Sequence, residues 1–324
     1  MSEKTFVGVD WGGTRIKFGL VGGNGRVLAG ETVSLVKGTA FDSSVELLID
    51  RVRDLVVREG ATIAGIGLAL TGPVDPERGV VYLPGKIEGI EGYPLVPRFR
   101  EAFGIPVFAT NDGLAAIFAE KHVGHARERR YAVAVTLGTG VGSGVLVDGC
   151  VPEDPRFMFG TQIGHFVINT SDDRLCLTGA RGTGEMNCSA TALALAVRSG
   201  LQRGIPSRLT DAYWSDPHSI DFEMVVREGV DHGDPLCCDE LRRWTSKLGW
   251  LLVNAVHAYS PEVIILSGGA TAAHRHFLPQ VQDHVARSSF RYPKDREIPV
   301  LVSDLQEYAG VVGAAMMCRE KCHD

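Results

Sequence analysis

The chain has 324 residues, more than one hydrophobic core usually supports, and its apolar fraction of 44% is ample for two domains. The formal net charge is -6, and the densest basic cluster, Ala126 to Arg130, is typical of a solvated helix end, so nucleic acid is not an expected partner. Seven cysteines with no Cys-x-x-Cys pair suit a reducing cytoplasm. No apolar run reaches the roughly 18 residues that span a bilayer. We therefore expect a cytoplasmic protein with no membrane partner.

Strands alternate with helices in the first third of the chain, which is typical of an α/β fold with a largely parallel or mixed sheet. The first two strands are joined by a glycine-containing turn in a hairpin pattern. A helix follows, for which Ser43 and Glu46 form a capping-box pattern and Gly60 is placed to end it. Another helix begins near Gly113. The strands predicted here are 5–10, 15–21, 63–70 and 105–110.

The order of strand, glycine-threonine turn and strand recurs later in the chain, which weakly supports a duplicated fold. The second pair of strands is Tyr131 to Leu137 and Val145 to Gly149, with the turn between them. A long helix is predicted from about Asp239 to Tyr259, and a further strand follows it. The segment from Ala309 to Glu320 predicts a helix of small residues that must pack tightly against another element.

The first glycine cluster, Asp10 to Thr14, follows a predicted strand. Because Gly12 and Gly13 have no side chains, their backbone N–H groups can converge on a phosphate, and the Thr14 hydroxyl adds a donor. Asp10 can hold a hydrated magnesium ion beside that phosphate, since magnesium takes few protein ligands. The alternative is a plain hairpin turn, and short motifs carry a high false-positive risk.

Two further glycine clusters also follow strands. Thr136 to Gly144 contains Gly-x-Gly, but a strand rather than a helix follows, so a dinucleotide-binding Rossmann motif is excluded. Ser267 to Gly269 is the third cluster. Ligands of α/β folds collect at strand ends, so three such sites in one chain favour phosphate binding over three unrelated turns.

Thr110 to Asp112 lies where a strand meets a helix. The Asp112 carboxylate can take the proton of an attacking hydroxyl, and the Asn111 amide can orient that hydroxyl. The alternative interpretation is that Asp112 caps the helix that begins at Gly113. The two roles do not exclude each other.

Eight motifs occur in order along nearly the whole chain: "DWGGTRIK", "TGPVDPERGVV", "PVFATNDGLAAIFAE", "TLGTGVGSG", "GTQIGH", "GTGEMNCSATAL", "PEVIILSGG" and "GVVGAA". This set resembles the ROK family (repressor, ORF, kinase) of sugar kinases and sugar-sensing repressors. The resemblance implies the actin-like ATPase fold, with two RNase H-like α/β domains flanking a cleft for ATP and a hexose. It places residues 1–116 plus 306–324 in the smaller N-terminal domain and 117–305 in the larger one. Relatives are commonly homodimers or homotetramers.

The resemblance also implies roles for individual residues. Asp112 inherits the role of general base, and Gly72 and Asn111 are expected at the sugar, as are Gln162, His165 and Glu185. Asp10 would bind magnesium through water. The residues expected to contact the nucleotide or its phosphates are Asp10, Gly12, Gly13, Thr14, Lys17, Thr136, Gly138, Thr139, Gly140, Gly268 and Gly269.

One family feature is altered in this chain. Most members have Gly-Glu-x-Gly-His followed by Cys-x-Cys-Gly-x-x-Gly-Cys-x-Glu, in which the His and three Cys bind structural zinc. Here His165 and Cys176 are retained, but Thr178 and Thr183 occupy the other two cysteine positions. One thiolate and one imidazole cannot complete a tetrahedral zinc site, so we predict no structural zinc.

The altered segment bears on the substrate as well. Gln162 stands where the family has a sugar-binding Glu, and an amide accepts with one atom and donates with the other, so a different hydroxyl pattern is expected in the substrate. Glu185 is retained, and His165 has the alternative interpretation of a hydrogen-bonded core histidine. Asp172 or Asp173 is a candidate carboxylate for a remodelled metal site, although their spacing does not require one.

The sequence therefore favours an ATP- and magnesium-dependent kinase acting on one hydroxyl of a hexose or a hexose-like polyol, such as an amino sugar or carbasugar cyclitol. A sugar-responsive repressor is the second hypothesis. Repressors of the family carry a helix-turn-helix domain ahead of the first hairpin, whereas only nine residues precede Asp10, so none is expected. The third hypothesis is a catalytically silent sugar-binding module derived from a kinase.

Overall fold

The computed structural model describes residues 4–36, 38–82, 87–154 and 159–322. Lys86 stands where many family members have a short polar residue near the sugar, but the preferred interpretation from the sequence is an exposed loop lysine; it lies outside these ranges. The chain divides into two compact units: unit 1 is Met1–Arg130, Gly144–Thr161 and Ser303–Asp324, and unit 2 is Tyr131–Ser143 and Gln162–Val302. The domain boundaries implied by the family resemblance stay a prediction.

The secondary structure of the described residues consists of strands interleaved with helices. The strands are β1 (Thr5–Trp11), β2 (Arg15–Gly22), β3 (Val27–Ser34), β4 (Ile63–Leu70), β5 (Val74–Asp75), β6 (Val80–Val81), β7 (Val107–Asn111), β8 (Ala132–Leu137), β9 (Val141–Leu146), β10 (Val263–Ser267) and β11 (Val300–Val302). The α-helices are α1 (Phe41–Arg58), α2 (Leu95–Phe103), α3 (Asp112–Val123), α4 (Gly184–Cys188), α5 (Ala190–Gln202), α6 (Thr210–Ser215), α7 (Phe222–Met224), α8 (Pro235–Tyr259), α9 (Leu278–Ser288) and α10 (Ala309–Lys321).

Unit 1 is built on a five-stranded sheet in the order β3-β2-β1-β4-β7. The pairs β1–β2 and β2–β3 are antiparallel, and β1–β4 and β4–β7 are parallel, so the mixed sheet predicted from the sequence is confirmed. Strand β3 was missed because exposed and half-buried residues alternate along it without a fully buried face. Asp10 lies opposite Lys17 at the turn end of the first hairpin.

Helix α10 packs on this sheet at backbone contact distance. A Cβ added to Gly8 would lie 1.9 Å from the Val311 carbonyl oxygen, and one added to Gly67 would lie 1.8 Å from that of Ala314. A Cβ added to Gly313 of the helix would lie 1.8 Å from the Ala115 carbonyl oxygen of α3. The tight packing predicted for this small-residue helix is therefore confirmed, and glycine is required on the strands as well as on the helix.

The predicted helix starts need correction. Helix α1 begins at Phe41 with no side-chain cap, so the Ser43 capping box is wrong; the earlier start buries Phe41 against Trp11, with ring centroids 5.1 Å apart. The N-cap of α3 is Asn111 rather than Asp112, although the side chains of both residues accept the Gly113 N–H. Helix α8 begins at Pro235, before the predicted Asp239, because the Asp234 side chain accepts the Cys237 N–H and starts the helix there.

A four-stranded sheet has the order β11-β10-β8-β9, and unit 2 includes all of it except the last three residues of β9, 144–146. The glycine turn between β8 and β9 is shorter than predicted, since β9 already begins at Val141. The exclusion of a Rossmann motif is confirmed, because a strand follows the turn. Within the described ranges, no helix combines the length and apolar composition that crossing a bilayer requires.

Candidate active site

In unit 1, the first glycine turn connects β1 to β2. The Gly12 N–H donates to the Arg15 carbonyl at 3.0 Å, so this N–H closes the hairpin. The Thr14 carbonyl accepts the Leu35 N–H at 2.9 Å, which ties the turn to the end of β3. Gly13 and Thr14 are exposed. Of the predicted phosphate donors, the Gly13 N–H, the Thr14 N–H and the Thr14 hydroxyl are therefore better candidates than the Gly12 N–H.

The hairpin carries Asp10 and Lys17 side by side. The Lys17 Nζ lies 3.2 Å from the Glu307 carboxylate and 3.1 Å from its carbonyl oxygen. Burial and then the charge of Asp112 raise the pKa of Asp10 from 3.8 to about 6, and Lys17 lowers it. The carboxylates of Asp10 and Asp112 are thus close enough to repel each other. The salt bridge to Glu307 offsets part of the positive charge of Lys17.

This donor set fits the predicted magnesium site. Magnesium is usually bound by one or two carboxylates, waters and substrate phosphates, and Asp10 supplies one such carboxylate. A divalent cation would also favour the ionised form of Asp10, which the surrounding protein disfavours. Asp10 remains the residue proposed to hold the ion, through water.

Asn111 and Asp112 lie at the junction of β7 and α3. The Asn111 Nδ2 donates to the Gly72 carbonyl at 2.7 Å, and its Oδ1 accepts the Gly113 N–H at 2.8 Å. The Asp112 Oδ1 accepts the same N–H at 2.9 Å. Gly72 has a φ of 107°, which glycine adopts at no steric cost. The structure thus brings Gly72, Asn111 and Asp112 together, and the two bonds of the Asn111 amide use one of its two N–H groups and one of its two oxygen lone pairs.

In unit 2, the second and third glycine clusters are neighbours. Strands β8 and β10 are parallel, and the Thr136 and Ser267 hydroxyl oxygens are 3.0 Å apart at their ends. Gly268 has a φ of 90°, and a Cβ there would lie 2.5 Å from the Leu137 carbonyl oxygen. The Gly138 carbonyl accepts the Ala190 N–H at 2.8 Å, which fixes the turn to the start of α5. Thr139 and Gly140 complete the turn, and Gly269 follows Gly268.

Glu185 of α4 lies against this turn. Its Oε2 accepts the Val141 N–H at 3.2 Å, and a Cβ on Gly140 would be only 2.3 Å from that oxygen. Gln162 directly precedes a single 3-10 turn, Ile163–His165, and His165 is the last residue of that turn. The Ser143 hydroxyl accepts the Ile163 N–H at 2.8 Å. The side chains of Gln162 and His165 are half-buried.

The family's zinc-binding positions hold a different set of atoms here. The Cys176 Sγ is 4.0 Å from the His165 Nδ1 and 3.0 Å from the Thr178 hydroxyl. The Thr183 hydroxyl is buried and accepts the Met186 N–H at 3.4 Å as the N-cap of α4. Among the described residues, no three His, Cys, Asp or Glu side chains meet to form a metal site. One thiol, one imidazole and two hydroxyls do not fit structural zinc.

Asp172, considered above as a metal ligand, is engaged otherwise. Its carboxylate accepts the Arg174 Nε at 2.9 Å and Nη2 at 2.7 Å, and also the Asn187 Nδ2 at 3.0 Å. The Arg174 bonds, opposed by burial, lower the pKa of Asp172 to about 2. The sequence did not predict this group of Asp172, Arg174 and Asn187. An Asp-x-Arg pair is too common to indicate it, and Asn187, 15 residues after Asp172, contacts the pair only because of the fold.

Comparison with known proteins places the chain among sugar kinases and repressors. A model of the ROK family matches residues 6–321. Over 324 residues, 99% of each chain, the protein is 28% identical to a glucokinase of Thermotoga maritima. It is 24% identical over 316 residues to a xylose repressor of Caldicellulosiruptor bescii, which covers 97% of this chain and 77% of that protein.

The structure is similar to that of a ROK family glucokinase from Streptomyces griseus in complex with glucose and AMPPNP. The TM-score is 0.80 at 26% identity, over 98% of this chain and 99% of that one. These matches confirm the resemblance carried by the ordered motifs and the predicted α/β actin-like ATPase fold. The chain belongs to the ROK family.

Proposed function

We propose that the protein is an ATP-dependent kinase that phosphorylates one hydroxyl of a hexose or hexose-like polyol. The observation that carries the proposal is the position of Asp112, held at the β7–α3 junction with its charge close enough to act on Asp10. Membership of a family that includes glucokinases supports it. Asp10 is the last residue but one of β1, and Asp112 directly follows β7, so both lie at the carboxyl ends of strands of the unit 1 sheet, where ligands of α/β folds collect.

In the proposed reaction, the acceptor hydroxyl oxygen attacks the γ-phosphorus of ATP, and the bond from that phosphorus to the bridging oxygen breaks to release ADP. Asp112 takes the hydroxyl proton. Asn111 contributes in two ways: its bonds to Gly72 and Gly113 fix the start of α3, and its remaining N–H orients the acceptor. Product is a phosphate ester, and ADP leaves with the electron pair of the broken bond.

The glycine turns are proposed to hold the phosphates. The Gly13 and Thr14 N–H groups supply donors in unit 1, and Thr136 and the Gly138–Gly140 turn supply them in unit 2. Gly268 and Gly269 are proposed near the nucleoside. Asp10 would hold magnesium through water, and the ion would supply positive charge to neutralise the phosphate oxygens.

The acceptor is proposed to contact Gln162, His165 and Glu185. Gln162 both donates and accepts, unlike the carboxylate usual in the family, so an acceptor whose polar groups differ from those of glucose is favoured. Amino sugars and carbasugar cyclitols have such patterns and are the classes we propose to test first.

The experiment is an ADP-release assay with ATP, magnesium and a panel of sugars, amino sugars and cyclitols. At least one acceptor is expected to stimulate ADP release. Asp112→Asn should lower kcat by about 10³-fold, because the amide cannot take the proton, while nucleotide and acceptor affinities change little. Asp54→Asn, on an exposed carboxylate of α1 in the same unit, is the control.

Two results would contradict the proposal. Undiminished turnover in Asp112→Asn would remove that residue from the base role. No ADP release with any acceptor, together with calorimetric binding of a sugar, would instead favour a sugar-binding regulator, the alternative suggested by the xylose repressor among the relatives.

A further inference from the structure

The segment from Phe166 to Gly184, here named the 166–184 loop, is closed at its base by backbone bonds. The Ile168 and Asn169 N–H groups both donate to the Gly182 carbonyl, at 2.9 and 3.1 Å, and the Gly184 N–H donates to the Phe166 carbonyl at 2.8 Å. Gly182 has a φ of 68°, and a Cβ there would lie 2.0 Å from the Asn169 carbonyl oxygen. The loop thus ends directly at α4, the short helix that carries Glu185.

A buried polar group connects the middle of the loop to the same helix. The side chain of Asp172 is 8% exposed and Asn187 is 2% exposed. Asn187 donates to the Asp172 carboxylate at 3.0 Å and to the Thr183 carbonyl at 2.9 Å. Arg174 binds the same carboxylate through two nitrogens. Charge-assisted bonds of this kind are about twice as strong as neutral ones, and a two-point guanidinium contact also fixes orientation.

We infer that the Asp172–Arg174–Asn187 clamp holds α4 in this chain where a structural metal would hold it in most relatives, and thereby positions Glu185. The inference rests on the proposed function for the role of Glu185 at the acceptor. It follows from the residues present: the atoms around Cys176 do not form a metal site, whereas the clamp reaches α4 two residues beyond Glu185.

The short length of α4 makes it dependent on such a clamp. The helix has five residues, too few to be stable alone, so its orientation is set by what holds its ends. Thr183 caps its start and Asn187 anchors its last turn. If the anchor is lost, the Glu185 carboxylate can leave the Val141 N–H, and misplacement by about 1 Å can cost about a hundredfold in rate.

Asp172→Asn is the test, because it changes the charge and keeps the shape. Two nitrogens of Arg174 and one of Asn187 donate to the two carboxylate oxygens of Asp172. In the variant, an NH2 group replaces one of these oxygens, so a donor would point at a donor. Asp173→Asn is the matched control: it makes the same change one residue away, on an exposed carboxylate for which the described residues provide no hydrogen-bond partner.

Hydrogen exchange and kinetics are measured on the full-length chain. In Asp172→Asn, the amides of Ile168, Asn169 and Gly184 should exchange faster, and the KM for the acceptor should rise at least about tenfold while the KM for ATP stays unchanged. Asp173→Asn should match the wild type in both. A purely structural role would lower the amount of folded enzyme without separating the two KM values.

Three results would overturn the inference: exchange in Asp172→Asn equal to that in Asp173→Asn, an unchanged acceptor KM, or faster exchange of the same amides in wild-type protein after a zinc chelator removes bound metal. If the wild type phosphorylates no acceptor, the proposed function fails, and the exchange experiment still decides whether the clamp holds α4.

Discussion

The hairpins β1–β2 and β8–β9 each meet a helix where a carboxylate lies against a glycine, but the partners are exchanged. Asp10 is on its hairpin and Gly310 on the helix, whereas Gly140 is on its hairpin and Glu185 on the helix. In unit 1, a Cβ on Gly310 of α10 would lie 2.6 Å from the Asp10 carboxyl group. In unit 2, a Cβ on Gly140 of the turn would lie 2.3 Å from the Glu185 carboxylate. Each hairpin therefore meets the start of a helix at a point where only glycine leaves room for an acidic side chain.

The two carboxylates differ in what surrounds them. Glu185 accepts the Val141 N–H, so its own hairpin provides a donor. Asp10 is influenced by a second carboxylate, Asp112, and its pKa is raised to about 6. A backbone donor of unit 2 thus holds Glu185 in place, whereas the surroundings of Asp10 in unit 1 disfavour its charged form. The second arrangement costs folding stability at neutral pH and is consistent with the proposal that Asp10 acts on a bound ion.

The largest expected effect comes from disrupting the close packing of α10 on the sheet that contains the β1–β2 hairpin. Gly67→Ala places a Cβ 1.8 Å from the Ala314 carbonyl oxygen of α10, a backbone atom that cannot move alone. The free energy of unfolding should fall by about 3 kcal/mol or more, measured by chemical denaturation. Gly269→Ala in unit 2 is the control, because no atom lies within 4 Å of its added Cβ. Equal stability of the two variants would show that close packing of α10 does not support the hairpin.

A smaller effect is expected from neutralising Asp10. In the unfolded chain its pKa is near 3.8, and in the folded protein it is about 6, so the folded state binds more protons between those values. Stability should therefore fall as the pH rises from about 4 to about 6, and Asp10→Asn should abolish this fall. Well above pH 6, without magnesium or nucleotide, the variant should be more stable by about 3 kcal/mol, which is a difference of about 2 pKa units at about 1.4 kcal/mol each.

The same variant should lose phosphoryl transfer, since the neutral amide lacks the negative charge proposed to hold the hydrated magnesium ion. A gain in stability together with a loss of turnover would distinguish Asp10 from Glu185, whose backbone donor makes no such gain expected on neutralisation. A pH profile of stability identical in Asp10→Asn and wild type would contradict the raised pKa.

Features that depend on neighbours in sequence could be predicted. The glycine clusters at Gly12, Gly138 and Gly268 follow strands because an apolar run ends and a turn residue begins within a few positions, and the structure confirms all three strand ends. The β7–α3 junction at Asp112 was located by the same signals. Local propensity and hydrophobic pattern suffice for such features.

Features that depend on distant contacts could not be predicted. The Ser43 capping box failed because Phe41 is drawn into the core by Trp11, a tertiary contact that overrides local capping. No local pattern indicates that Gly310 touches Asp10 or that Asn187 joins Asp172. Polar side chains that hydrogen-bond to each other across a loop produce no periodic pattern in the sequence. The Asp172–Arg174–Asn187 clamp could therefore be identified only in the structure.

The smallest expected effects, and the sharpest test of the comparison, come from the paired variants Gly310→Ala and Gly140→Ala. In each, the added methyl group meets an acidic side chain rather than backbone, so the free energy of unfolding should fall by less than in Gly67→Ala, and least in Gly140→Ala, where only the end of the long Glu185 side chain must move. The kinetic effects should differ. Displacing Asp10 should lower kcat about tenfold with little change in acceptor KM, because that residue is proposed to act through the metal in the transition state.

Displacing Glu185 should raise the acceptor KM about tenfold and leave kcat close to that of the wild type, because contacts made equally in ground and transition states affect binding alone. Each variant is the control for the other, since both add one methyl group beside one carboxylate. The outcome that would contradict the comparison is a shared kinetic pattern, with both variants changing kcat or both changing KM. In that case the two hairpins would serve the same step, and the different surroundings of their carboxylates would have no bearing on function.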